Sequence, residues 1–370
     1  MCFESQAINY FSEKGGTEHY FAAANTCKGF RSYFGEVFSP KKLGRIYILK
    51  GGPGVGKSTL MKKAVKTAEE KKLSAVCYHC SSDPYSLDGV IIKEKGVAIV
   101  DGTAPHITDP AFAGVKEIIV NMGAAWDTQK LSLHEKEILS TTAEKASCYS
   151  TAYKYLAAEK QLHDTLCEIN SECIFEDKLS AAVNRIVSKT FRKEGSGEVA
   201  TRLLQANSCA GDARLYTFEK NAKQIYFIRD VRFVSEKFFS LLFSGAQKLG
   251  ANVDVSYNPT DPDIINGLYF PSERVSFTLY SEELAKLLDR NGVLYRIINM
   301  RCFCDSEKYA KRRTYYRFGE KCRAEIHESA LDCFMRAGLC HASLEDIYKT
   351  ATDYGKVGSL SDKVMADIFG

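Results

Sequence analysis

Between Arg45 and Met61 the chain reads RIYILKGGPGVGKSTLM, and this stretch constrains the fold more than any other. Ile46–Leu49 is a short apolar run rich in β-forming residues, the pattern of a strand buried on both faces. Gly51-Gly-Pro-Gly-Val-Gly-Lys-Ser58 follows at once, and LMKKAVKTAEE then places apolar and charged residues at helical spacing. Strand, glycine-rich loop and helix in that order form the context of a phosphate-binding loop. Glycines let successive backbone N–H groups turn inward and approach phosphate oxygens closely. The helix N-terminus adds its dipole and free N–H groups. The reading therefore makes Gly51, Gly52, Pro53, Gly54, Val55 and Gly56 the cradle of a nucleotide's phosphates, with ATP and Mg²⁺ as the expected ligands. Lys57 is expected to reach the β- and γ-phosphates, Ser58 to ligate Mg²⁺ and Thr59 to stand beside it. A glycine-rich turn with a chance lysine is the bland alternative, and the flanking strand and helix speak against it.

Two further strands end in polar residues. Leu73–Tyr78 leads to His79-Cys-Ser-Ser-Asp83-Pro84, and Gly96–Val100 leads to Asp101-Gly-Thr-Ala-Pro-His106. Open α/β sheets bind ligands at the carboxyl ends of strands, so all three loops are expected to face one crevice. Asp101 fits the second carboxylate of such a site, the Walker B aspartate that holds Mg²⁺. His79, Asp83 and His106 are candidates to activate a water or an acceptor hydroxyl; capping of strand ends is the structural alternative for each. Many P-loop ATPases place a glutamate after the Walker B aspartate, and here that place is Gly102. Either another residue acts as base, or hydrolysis is slow, or the acceptor is not water. Cys77 and Cys80 are spaced as C-x-x-C, but on a strand two such thiols point to opposite faces, which argues against a metal or redox pair.

The chain also repeats itself. Arg45–Lys50 aligns with Gln224–Arg229, Tyr78–Gly89 with Tyr257–Gly267, Ala24–Gly29 with Ala206–Gly211, and Leu162–Ile169 with Cys340–Ile347. Four matches in one order argue for tandem duplication. The polar stretch 191–197 reads as a linker. The expected domains are 1–190, an active P-loop domain with a helical segment from about 121 to 188, and 198–370, with a helical segment from about 282 to 369. The first helical segment carries Ile138, Thr142, Ala146, Tyr149, Tyr153 and Leu156 at three- and four-residue steps. On the alignment, Gly51, Gly54 and Gly56 become Asp230, Phe233 and Ser235. Lys57 becomes Glu236, Ser58 and Thr59 become Lys237 and Phe238, His79 becomes Asn258 and Cys80 becomes Pro259. Asp101 faces Thr278-Leu279, without a carboxylate. The second loop is therefore expected to have lost phosphate binding.

Composition excludes little beyond this. With 370 residues, 45% hydrophobic and 26% charged, the chain has material for two cores and no signature of disorder. A net charge of +4 is too mild to imply nucleic acid. No apolar run is long enough for a bilayer, and the start MCFESQAINYFSEKGG lacks the pattern of a signal peptide. The 13 cysteines, many within apolar patterns, read as reduced thiols of a cytoplasmic protein.

With these residues in hand, the chain resembles a family of uncharacterised bacterial ATPase-like proteins built from two tandem P-loop halves. Ala24–Phe30, Leu49–Lys62, His79–Pro84, Leu87–Ile92 and Asp101–His106 carry the resemblance. It implies two P-loop-type parallel-sheet domains, nucleotide binding and ATPase activity, and no physiological role. Relatives can carry a glycine-rich loop in the second half, from which this chain departs. The leading expectation is Mg²⁺-dependent ATP hydrolysis at one site, with Arg229, Arg232 and Arg274 as candidate arginine fingers. A small-molecule or nucleotide kinase is the second reading. A nucleic-acid-associated switch is the third, resting on the basic, tyrosine-rich run Lys308–Arg317, which on a helix is more often a solvated face.

Overall fold

The side chains of Ile46–Leu49 alternate onto the two faces of a sheet, and all four are buried. The computed structural model describes residues 16–192 and 196–370. The opening residues read above for a leader, and part of the 191–197 linker, lie outside the described residues. The first half of the chain runs β1 (Glu18–Phe21), β2 (Ala23–Thr26), β3 (Gly29–Ser32), α1 (Phe34–Val37), β4 (Arg45–Lys50), α2 (Lys57–Glu70), β5 (Ala75–His79), β6 (Leu87–Ile92), β7 (Val97–Asp101), β8 (Glu117–Asn121), α3 (Thr128–Leu133), α4 (Glu135–Ser171) and α5 (Glu176–Thr190). The second half repeats the order with β9 (Val199–Thr201), β10 (Gln205–Ser208), β11 (Gly211–Arg214), α6 (Thr217–Asn221), β12 (Gln224–Arg229), α7 (Val234–Lys248), β13 (Val253–Tyr257), β14 (Ile265–Phe270) and β15 (Val275–Leu279). It adds α8 (Glu282–Arg290) and closes with β16 (Tyr295–Asn299), α9 (Ser306–Lys311), α10 (Arg313–Thr350) and α11 (Tyr354–Phe369).

The two large sheets have the orders β1-β5-β6-β7-β4-β8 and β16-β12-β15-β14-β13-β9. β6 runs antiparallel to both neighbours, as does β14; the remaining pairs are parallel. The fold is α/β as expected, but the sheets are mixed rather than parallel. The cause is loop length. Only Lys93–Gly96 joins β6 to β7, whereas a parallel crossover needs about a dozen residues. β5, β7 and β4 still run the same way, so their carboxyl ends share one edge. β16 falls inside a segment expected to be helical, and β8 with the turn after it delays the first helical run to Thr128.

The chain divides into two compact units, neither of them contiguous. Among the described residues, one comprises 16–154, Ala206–Leu215 and Ser329–Gly370; the other comprises 155–192, 196–205 and Tyr216–Glu328. The units therefore do not follow the linear division into 1–190 and 198–370. The long helices α4 and α10 each begin in one unit and end in the other, so the shorter helix that follows each is exchanged. In the first unit, Leu60, Met61, Ala64 and Ala68 of α2 pack with Tyr47, Leu49, Val90 and Ile99 of the sheet, and α11 adds Val357, Val364, Met365, Ile368 and Phe369. In the second, Leu179, Val183 and Val187 of α5 join Phe238, Leu242 and Ala246 of α7 over the sheet. Each large apolar side chain so buried contributes about 1.5–3 kcal/mol. On α4 the buried line runs through Cys148, Ala152 and Leu156; Thr142 and Ala146, expected on it, are exposed.

Candidate functional site

β4 ends at Lys50 and α2 begins at Lys57. Gly54 and Gly56 adopt positive φ, 75° and 81°, the conformation that lets glycine turn its amide inward. Gly56 is the left-handed N-cap of α2. The Lys57 ammonium donates to the carbonyls of Gly51 and Gly52, the latter at 2.8 Å, and lies 3.5 Å from the Asp101 carboxylate. Leu49 pairs with Asp101 across β4 and β7, so the strand that leads into the loop lies directly beside the strand that ends in Asp101. Burial pushes the Asp101 carboxyl above its usual range, and Lys57 and Thr103 pull it back. Its Oδ1 accepts from Thr103 N at 2.9 Å and Oγ1 at 2.5 Å. Ser58 Oγ accepts from Leu87 N at 3.0 Å, and Thr59 is exposed. The structure thus brings together the loop Gly51–Gly56 (with Pro53 and Val55), Lys57, Ser58 and Asp101.

The other candidates each have partners of their own. His79 is buried and engaged at both nitrogens, Nε2 with His19 Nδ1 at 2.9 Å and Nδ1 with Pro84 O at 2.7 Å. Burial holds it down to about 4. It is built as a strand-end brace. Asp83 accepts from Tyr85 N at 3.2 Å in a local turn, and burial raises its carboxyl. His106 is buried, stacked on Phe34 with ring centroids 4.3 Å apart, and its Nε2 is 3.0 Å from Asp88 Oδ2. Cys80 belongs to this group: its thiol, Asp88 and His106 lie within 4.8 Å of one another. Cys77 points into the core instead. After Asp101, a Cβ at Gly102 would overlap Cγ2 of fully buried Ile48. No side chain fits there, which accounts for the missing glutamate.

Sequence reasoning missed what covers the loop. A Cβ at Gly52 would meet the Trp126 ring at 3.2 Å, and one at Gly54 would meet Glu345 O at 3.0 Å and Lys349 Cγ at 3.2 Å. Tyr354 donates to Gly54 O at 3.1 Å. Trp126 and Tyr348 are paired at 5.3 Å between ring centroids. Lys145 Nζ and His341 Nδ1 stand 2.9 Å apart. Most of these residues come from the end of α10, nearly three hundred positions after the loop. The one sequence signal pointing at them was the repeat match Leu162–Ile169 with Cys340–Ile347.

The counterpart in the second unit needs a corrected register. Phe233 is the left-handed N-cap of α7, φ 67°, as Gly56 is of α2. The second turn is therefore two residues shorter, and Lys57 corresponds to Val234 rather than Glu236. Cys80 N and Asn258 N make equivalent turn bonds, to Ser86 O at 3.0 Å and Ile264 O at 2.8 Å, so His79 corresponds to Tyr257 and Cys80 to Asn258. The Asp230 carboxylate accepts from Phe233 N at 3.0 Å and Ser235 N at 2.8 Å. A carboxylate of the chain itself thus holds the amides of this turn. The three arginines are committed locally: Arg229 over the Tyr280 ring at 4.3 Å, Arg232 over Tyr316 at 4.4 Å, and Arg274 to Asn221 O at 3.1 Å. Arg274 also occupies the turn before β15, at the opposite end of the strands from the loop. Within the basic run, Arg312 bonds Ile169 O at 2.8 Å and Lys308 bonds Glu172 O at 3.2 Å. Compared with models of protein families, with curated proteins and with solved structures, the chain matched none.

Proposed function

We propose that this chain binds one Mg²⁺–nucleoside triphosphate, ATP foremost, at Gly51–Thr59 and hydrolyses it. The carrying observation is that Lys57, at the start of a helix of 14 residues that follows a glycine loop, and Asp101, at the end of the strand beside the one leading into that loop, lie 3.5 Å apart and largely buried. The donors suit the ion: Ser58 and Asp101 offer hard oxygens for Mg²⁺, and a buried carboxyl whose charge is disfavoured gains from a cation beside it. Mg²⁺, when bound, would offset phosphate charge. The loop amides bind and orient the phosphates, Lys57 leaves its two carbonyls for phosphate oxygens, and Trp126 and Tyr348 flank the loop. His106, held by stacking on Phe34 and by Asp88, is the favoured acceptor of the attacking water's proton. This accords with the family resemblance, and ATP, Mg²⁺ and free cysteines, as all those described are, belong together in a cytoplasm.

The space denied at Gly102 favours a second reading, transfer to a small-molecule or nucleotide acceptor seated by Cys80, Asp88 and His106. A nucleic-acid partner is less favoured, because part of the basic run serves the second unit. Among the described residues no helix is long and apolar enough to cross a membrane. Phosphate release from Mg²⁺–ATP tests the proposal. Lys57→Ala and Asp101→Asn should each lower turnover roughly 100-fold. Undiminished turnover in Lys57→Ala contradicts it, and turnover that appears only with added metabolites selects the kinase reading.

A further inference from the structure

We propose that Lys145 and His341 together read the terminal phosphate of the bound nucleotide, so that the site prefers a triphosphate to a diphosphate. This rests on the nucleotide reading of Gly51–Thr59. Lys145 on α4 and His341 on α10 lie in the same unit as the loop, their nitrogens 2.9 Å apart. Two basic groups this close are both protonated only with an anion against them. Burial pulls both toward the neutral form, and for His341 the Lys145 ammonium adds to it. Glu345 compensates only in part, at 3.8 Å from His341 and shared with Lys349 at 3.3 Å. Among the described residues no carboxylate lies within ion-pair distance of Lys145. Glu345, whose carboxylate is 3.8 Å from His341, also places its carbonyl oxygen 3.0 Å from where a Cβ at Gly54 would stand, so the pair lies beside the loop.

The second unit supplies an internal control. α4 and α10 begin 178 residues apart, Glu135 against Arg313, and α5 and α11 keep the same interval, Glu176 against Tyr354. On that register Lys145 corresponds to Arg323, and His341 to His163. Both counterparts are neutralised from within. Arg323 bonds Glu159 at 3.0 Å and Glu320 at 2.9 Å, and His163 bonds Glu236 at 2.9 Å. In the first unit Glu159 is replaced by Ala337 and Glu320 by Thr142. Counted from the helix N-caps, Glu236 is replaced by Thr59. The basic pair is kept and all three of its counter-anions are gone. Glu345, shared with Lys349, is the carboxylate that remains beside the pair, which leaves room for an anion from outside, and the glycine loop beside it is suited to a phosphate chain.

Trp126, the chain's one tryptophan, stands against Gly52 and reports binding by its fluorescence. Titrations with ATP and with ADP, Mg²⁺ present, are to be run on the parent protein, Lys145→Gln, His341→Gln and Thr142→Glu. Thr142 is exposed, so the last change leaves the fold intact while restoring the partner that Arg323 has in Glu320; circular dichroism checks that each variant folds. Each change should weaken ATP binding roughly 10- to 100-fold and ADP binding far less. Equal losses for both nucleotides, or none, overturn the proposal with the nucleotide reading intact. A parent protein that binds neither nucleotide overturns both.

Discussion

The segments Arg45–Met61 and Gln224–Ser240 share a backbone plan and differ in what fills the turn. Each is a strand, a tight turn with a left-handed residue before the helix, and a helix packed on the sheet. In the first, glycines at positive φ open a loop of amides with Lys57 at its root. In the second, two residues are missing, Phe233 takes the left-handed place and Asp230 fills the amides with its own carboxylate. The same exchange recurs around the turn, where Lys237 pairs with Glu176 and His163 with Glu236. Beyond β7 the first unit has the loop that carries His106, and beyond β15 the second has α8. On the proposed function, the second turn keeps the fold of a phosphate cradle and fills it with the chain's own carboxylate.

The largest effect that could break this comparison is acid sensitivity. His79 stands where the second unit has Tyr257, and its value of about 4 lies below the ordinary 6.5. The unfolded chain binds that proton more readily. The contribution is therefore complete above pH 6.5 and lost as pH falls toward 4, about 3 kcal/mol in all. Asp83 and Asp101, both raised, act in the opposite direction, so the test is a difference. Trp126 emission during urea unfolding should show a steeper loss of stability between pH 6.5 and 4 in the parent than in His79→Gln. Equal slopes would remove His79 from the account.

A smaller effect is expected at the closed turn. Asp230→Ala leaves the Phe233 and Ser235 amides without their acceptor and should destabilise the second unit by about 1 kcal/mol, read as faster hydrogen exchange along α7. It should create no nucleotide site, because the turn remains two residues short and Phe233 keeps its side chain. New ATP binding in this variant would show that charge alone had closed the cradle.

How much of this was legible in the sequence depends on distance along the chain. Strand, loop, helix and the Asp101 strand end were legible because each is local and glycine has few other reasons to recur so densely. The duplication was legible too, but its register slipped where the turn lost two residues, since an ungapped match cannot see a shortened loop whose ends are fixed by a strand and a helix cap. Gly102 looked like a missing catalytic residue; only the position of Ile48 shows that no side chain fits. The cover of the loop was invisible, because Glu345, Tyr348, Lys349 and Tyr354 arrive through the exchange of helices between units, which no periodicity within α10 announces. The antiparallel β6 could have been read from the short turn Lys93–Gly96.

The most direct test of the central claim, one competent cradle and one filled from within, is calorimetric titration of the chain with ATP in the presence of Mg²⁺. One nucleotide bound per chain, lost in Lys57→Ala and kept in Lys237→Ala, is the predicted result. Two nucleotides per chain, or binding that survives Lys57→Ala, would contradict it.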